Sequence, residues 1–141
     1  MVAALLAVLF FSAFGTESAG PPEQDLPELT VMLGEEEYTA ARGSYCWSGN
    51  GAAACADASG NPFDYESFSG VLSAQTGADA ELVFSQKPQS VRISVLDEGN
   101  PDSRNSPEKV RIPDEPGRYG YTVFAEWPEG DISYFFIVKT E

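Results

Sequence analysis

Tyr119-Gly120-Tyr121-Thr122-Val123-Phe124-Ala125-Glu126-Trp127 runs into Pro128-Glu129-Gly130-Asp131 and returns as Ile132-Ser133-Tyr134-Phe135-Phe136-Ile137-Val138. Side chains of an extended chain alternate between two faces, so Tyr119, Tyr121, Val123, Ala125 and Trp127 line one face of the first strand. Pro-Glu-Gly-Asp is turn chemistry, and Gly130 can supply the positive φ that such a loop needs. The return strand sets Ile132, Tyr134, Phe136 and Val138 on one face and Phe135 and Ile137 on the other. A strand apolar on both faces is central in its sheet, or is partly covered by a long connection from elsewhere in the chain.

Upstream the same two-residue period recurs. Val91, Ile93 and Val95 share a face, and Leu29 to Leu33 alternates before Gly34 and three glutamates end the run. Tyr38 to Arg42 is strand-compatible and leads into Gly43-Ser44-Tyr45-Cys46-Trp47, and Glu81 to Phe84 forms another run. Lys109 to Pro113 reads as a short strand that ends at Pro113 or lies at an edge. Residues 48 to 79 are mostly Gly, Ala, Ser, Asn and Asp and read as a long irregular connection, with a short helical turn around Tyr65 to Leu72. About seven short strands separated by turn signals predict an all-β, immunoglobulin-like antiparallel sandwich over residues 28–141.

The amino terminus differs from the rest. Residues 1–15 carry an uncharged apolar run, Val2 to Phe14, shorter than the roughly 20 residues a membrane-spanning helix needs. It reads as a signal peptide forming an N-terminal signal helix, with Ala13-Phe14-Gly15 placing cleavage before Thr16. No Lys or Arg precedes the run and no Cys follows it, so neither a basic leader nor a lipid-accepting cysteine is written here. Residues 16–27 form an acidic, Pro-rich tether. The expected location is extracellular or the outer face of the cell membrane, with membrane contact only through an uncleaved N-terminal segment.

Composition narrows the chemistry. With 8 Lys and Arg against 22 Asp and Glu the net charge is −14. Such a surface repels phosphate backbones, which excludes nucleic acid as a partner, and it favours a soluble monomer. There is no histidine. Ser-His-Asp and Cys-His arrangements and imidazole metal sites are therefore ruled out. No catalytic residues, metal site or cofactor are assigned. Asp97, Asn100 and Asp102 offer oxygens but depart from the D-x-[DN]-x-[DN]-G calcium loop, and Pro101 restricts them. Asp57 and Asp64 are a carboxylate pair of the kind that arises by chance in so acidic a chain.

Two cysteines in an exported domain predict a disulfide, Cys46 to Cys55, by parity and compartment. A redox role is not expected, because the spacing is not C-x-x-C and no neighbouring His or Lys would lower a thiol pKa. Trp47 adjoins the bridge and has two readings: a core plug packed on the disulfide, or part of an aromatic binding platform with Tyr45, Phe63, Tyr65 and Phe68.

Arg42-Gly43-Ser44-Tyr45-Cys46-Trp47 with Cys55 and Asp57, and the hairpin from Gly117 to Trp127 with Tyr134-Phe135-Phe136, resemble an uncharacterised family of exported, often lipoprotein-like proteins of Gram-positive bacteria. The likeness runs from about Leu29 to Lys139. It implies an immunoglobulin-like domain at the outer face of the membrane and implies no activity. The chain departs from that pattern in lacking the lipid-accepting cysteine and in a longer Gly/Ala-rich insert between its cysteines. The expectation is a non-enzymatic cell-envelope domain that binds a protein, peptide or wall polymer through loops around the disulfide. The alternative is a secreted proteinase inhibitor presenting the Cys46–Cys55 loop. A hydrolase using paired carboxylates is the third reading.

Overall fold

A computed structural model describes residues 26–49, 51–98, 100–106 and 110–141, with the backbone alone described over 100–106. The signal peptide, most of the tether, and the Asn100 and Asp102 side chains lie outside the described residues. β10 (Gly117–Trp127) and β11 (Gly130–Thr140) form the expected hairpin, paired in unbroken register from Gly117↔Thr140 to Trp127↔Gly130. That register sets Tyr121 against Phe136 and Val123 against Tyr134, with the Tyr121 and Phe136 rings stacked at 4.8 Å. Both members of each pair carry apolar bulk on one face, and cross-strand pairs of this kind stabilise a sheet.

β3 (Ala41–Gly49) pairs with β11 on one side, and β7 (Ser90–Asp97) pairs with β10 on the other. β4 (Ala52–Ala56) and β8 (Asn100–Ser106) complete the larger sheet, in the order β4-β3-β11-β10-β7-β8. β5 (Val71–Ala74) runs parallel to the last four residues of β11. The smaller sheet has the order β2-β1-β6-β9, built from β1 (Leu29–Leu33), β2 (Glu36–Thr39), β6 (Asp79–Phe84) and β9 (Val110–Arg111). The two sheets pack face to face as an all-β sandwich. With β6 and β9 on one side and β8-β7-β10-β11 on the other, it follows the B, E against C′, C, F, G division of an immunoglobulin sandwich.

The core fills the space between the sheets. Leu29 and Val31 of β1 are fully buried in one cluster with Tyr121, Ile132, Tyr134 and Phe136. Phe84 spans the layers edge-on, its ring 6.0 Å from both Trp127 and Tyr134. Tyr134 ties the chain's entry to this core by donating its hydroxyl to the Pro27 carbonyl at 2.6 Å. Leu26, in the stretch read as tether, is buried as well.

Two expectations change. The described residues form eleven strands, not about seven, because residues 48 to 79 contain β4 and β5 and short strands line the sheet edges. The alanines of β4 are poor strand formers, and that segment is recruited by backbone pairing to β3. Gly130 has a positive φ, 159°, and pairs with Trp127 across a two-residue turn. Its lack of a side chain also serves close approach, since a Cβ there would overlap the Cys46 carbonyl. The helical turn is present but earlier than expected, as a 3₁₀ turn (Pro62–Tyr65) followed by α1 (Glu66–Ser69).

Two core tyrosines make opposite predictions. Burial pushes both phenols well above their ordinary range. The Tyr121 hydroxyl has no hydrogen-bond partner among the described residues, whereas that of Tyr134 does. Tyr134→Phe should cost about 1 kcal/mol, and Tyr121→Phe should be neutral or stabilising by a similar amount, read from urea midpoints. Because both phenols titrate later in the folded chain, their stabilisation is present below about pH 10, the unfolded tyrosine value. It falls as pH rises above that value, since the unfolded chain then binds fewer protons. Loss of stability in that range should be smaller for the Tyr121→Phe, Tyr134→Phe double variant than for the parent.

Candidate functional site

The disulfide forms as predicted, but not across a loop. Cys46 of β3 and Cys55 of β4 face each other in register, with Cα atoms 4.1 Å apart. The flanking pairs run from Tyr45↔Ala56 to Gly49↔Ala52, leaving a two-residue connection in which Gly51 has φ 77°. The predicted loop is thus a tight β-hairpin clipped by its bridge. Asn50-Gly51 is the strongest short-range hairpin signal in the sequence, masked by the low strand propensity of the alanines around it.

Strand parity decides where the aromatic candidates go. Cys46 and Cys55 are exposed on the outer face of the larger sheet, so Tyr45 and Trp47 point to the inner face. Trp47 is buried, its ring edge-on to Trp127 at 5.4 Å, and Tyr45 packs half-buried against the same core. Trp47 is therefore a core plug, but for the sandwich and not for the disulfide, which lies on the opposite side of its strand.

Phe63, Tyr65 and Phe68 sit on the outer face, in the 3₁₀ turn and α1. This short cap solves the problem posed by β11, whose Phe135 and Ile137 are fully buried outside the main core cluster. Tyr65 stacks on Phe135 with ring centroids 4.4 Å apart, and its hydroxyl donates to the Ser59 carbonyl. Burial, with the nearby Asp64 carboxylate, raises the Tyr65 phenol above its ordinary value. Two glycines make room for the cap. A Cβ on Gly43 would overlap the Phe135 ring, and one on Gly120 would lie 2.6 Å from Pro62. The Arg118 guanidinium fastens the far side, 3.0 Å from Glu66, 2.7 Å from Glu98 and 5.9 Å from the Phe63 ring centroid.

The five aromatics therefore do not form one platform. The sheet separates Tyr45 and Trp47 from the other three. Tyr65 is 8% exposed and Phe68 80%, so Phe68 is the candidate left open to a partner. A β-bulge hides this from the sequence: pairing with β11 slips between Tyr45↔Ile132 and Arg42↔Tyr134, which turns Gly43 toward the cap while Tyr45 and Trp47 stay inward. The carboxylates read as a chance pair remain surface groups, with Asp64 accepting from the Ser59 hydroxyl. Among the described residues no group of three acidic or cysteine side chains is placed to hold a metal.

The geometry separates clip from cap energetically. Replacing both cysteines by serine should lower stability by about 2.5 kcal/mol, the chain-entropy value for a loop this short, without disturbing the core. Tyr65→Ala uncovers Phe135 and should cost about 3 kcal/mol or more, whereas Phe68→Ala should stay within about 0.5 kcal/mol of the parent. Urea unfolding of the three variants checks the order. Comparison with protein-family models, with curated proteins and with solved structures finds no match to this chain.

Proposed function

We propose that the chain is an exported β-sandwich module of the cell envelope that acts by binding a protein or peptide, not by catalysis. The observation that carries this reading is the position of the disulfide. It stands on the solvent face and clips a hairpin at the rim of the larger sheet, away from the core. A covalent clip placed there fixes the shape of a surface element, which suits presentation to a partner. The bridge also suits an oxidising compartment, in keeping with the apolar run from Val2 to Phe14. No helix among the described residues is long and apolar enough to cross a membrane. Membership in the exported Gram-positive family rests on the Arg42 to Trp47 motif and belongs to the same proposal.

The inhibitor reading asks for an extended loop able to enter a protease cleft. Ser48 and Gly49 are instead paired with Ala53 and Ala52, so the binding-module reading is favoured.

Two measurements test the proposal. Fractionated cells expressing the full chain should yield it outside the cytoplasm, with no free thiol and a mass matching cleavage before Thr16. A reduced, cytoplasmic chain would sink the export claim. Selection of a phage-displayed random peptide library on the oxidised chain should return binders competed by the free chain. Failure to enrich any would sink peptide recognition.

A further inference from the structure

A sheet that ends in solvent leaves backbone N–H and C=O groups without partners, and native sandwiches protect such edges with charge, proline or brevity. Among the described residues five strands have a neighbour on one side only: β2 and β9 in the smaller sheet, and β4, β8 and the four-residue β5, which lies along the end of β11, in the larger. β2 carries Glu36 and Glu37. The sequence of β8 includes Pro101, Asp102 and Arg104. β9 is two residues long and carries Arg111. β4 is Ala52-Ala53-Ala54-Cys55-Ala56, with no charge and no proline, and among the described residues it pairs with β3 alone. In a chain of net charge −14, the whole stretch from Gly43 to Ala56 lacks Asp, Glu, Lys and Arg.

The register identifies the free groups. The 4.1 Å separation of the Cys46 and Cys55 Cα atoms is that of a narrow antiparallel pair, which exchanges no backbone hydrogen bonds. Alternation along the ladder then makes Trp47↔Ala54 a hydrogen-bonded pair. The N–H and C=O groups of Ala53 and Cys55 point away from β3, to the open edge.

We propose that β4 is the docking edge for an extended, basic segment of a partner protein, which joins the larger sheet as an added strand. This rests on the peptide-binding reading above and assigns its site and its partner. In such strand addition the main chain supplies affinity and alternate side chains supply selectivity. Charge selects the partner. Asp57 follows β4 and is exposed, whereas Asp131 and Glu129 stand on β11 and its turn, across β3 from the open edge. The neutral edge thus belongs to a strongly negative chain with one carboxylate directly following it. A second copy of the chain would bring the same excess of negative charge and is disfavoured, whereas lysine or arginine in a docking strand meets opposite charge. The disulfide holds the edge extended beforehand, which lowers the ordering cost of docking.

The test uses a peptide recovered from the library selection, titrated into the oxidised full chain while backbone amide resonances are followed by NMR. The recovered peptides should be rich in Lys and Arg, and slowed exchange should appear at the Ala53 and Cys55 amides. Ala53→Pro removes an outward N–H that no hairpin bond uses, a change that edge strands tolerate. It should weaken binding about tenfold, the effect of one backbone hydrogen bond at the upper end of its usual range. Should that variant fail to fold, Ala53→Lys sets a positive charge beside the basic strand and should weaken binding likewise. A binder that ignores the folded Ala53 variant, with its shifts around Phe68 or elsewhere, overturns the β4 assignment and leaves peptide binding standing. A selection that returns no binder removes both. A dimer in sedimentation velocity that Ala53→Pro dissociates makes the occupant a second copy and overturns the basic-partner claim.

Discussion

β11 is buried on both faces, and the sandwich, the outer cap and the path of the long connection all answer to that burial. A strand with Tyr134 and Phe136 on one side and Phe135 and Ile137 on the other must be covered twice, because apolar area left in water costs about 25 cal/mol per Å². The inner side is covered by the smaller sheet, and that packing makes the sandwich. The outer side has no second sheet. It is covered by a cap of eight residues, the 3₁₀ turn and α1, whose Tyr65 lies flat on Phe135. The backbone beneath the cap is shaved at Gly43 and Gly120, and Arg118 holds its outer side through Glu66. Each of these features follows from the need to hide Phe135.

The same requirement explains the form of the connection between the cysteines and β6. A loop with no task could take any path. This one must first end the larger sheet, then cross its outer face as the cap, then lie parallel to the end of β11 as β5 before entering the smaller sheet. Its small residues suit that route: alanines at the rim pair through the backbone without adding bulk, and Asn61 accepts from the Phe63 N–H to start the 3₁₀ turn. The disulfide then clips the start of that route on the outer face, with Trp47 anchoring the inner side of the strand whose outer side carries Cys46.

The central hairpin, the all-β sandwich and the cysteine pairing are legible in the sequence. Two-residue periodicity over Tyr119 to Val138 is strong enough to set both faces, and two cysteines in one small domain have one way to pair. It also showed that β11 needed cover on both sides, and that the long connection could provide it. The tertiary structure alone decided which aromatics meet. Tyr45, Trp47, Phe63, Tyr65 and Phe68 look like one cluster along the chain, but a sheet one residue thick lies between the first two and the others. The bulge at Gly43 and Ser44 depends on a partner strand ninety residues away, and local pattern carries no trace of it. Composition likewise hides β4 behind its alanines, which pair only because β3 recruits them, although Asn50-Gly51 marks the turn before it. Local periodicity reports on which side of its own strand a residue lies. What stands on the other side is settled by long-range pairing.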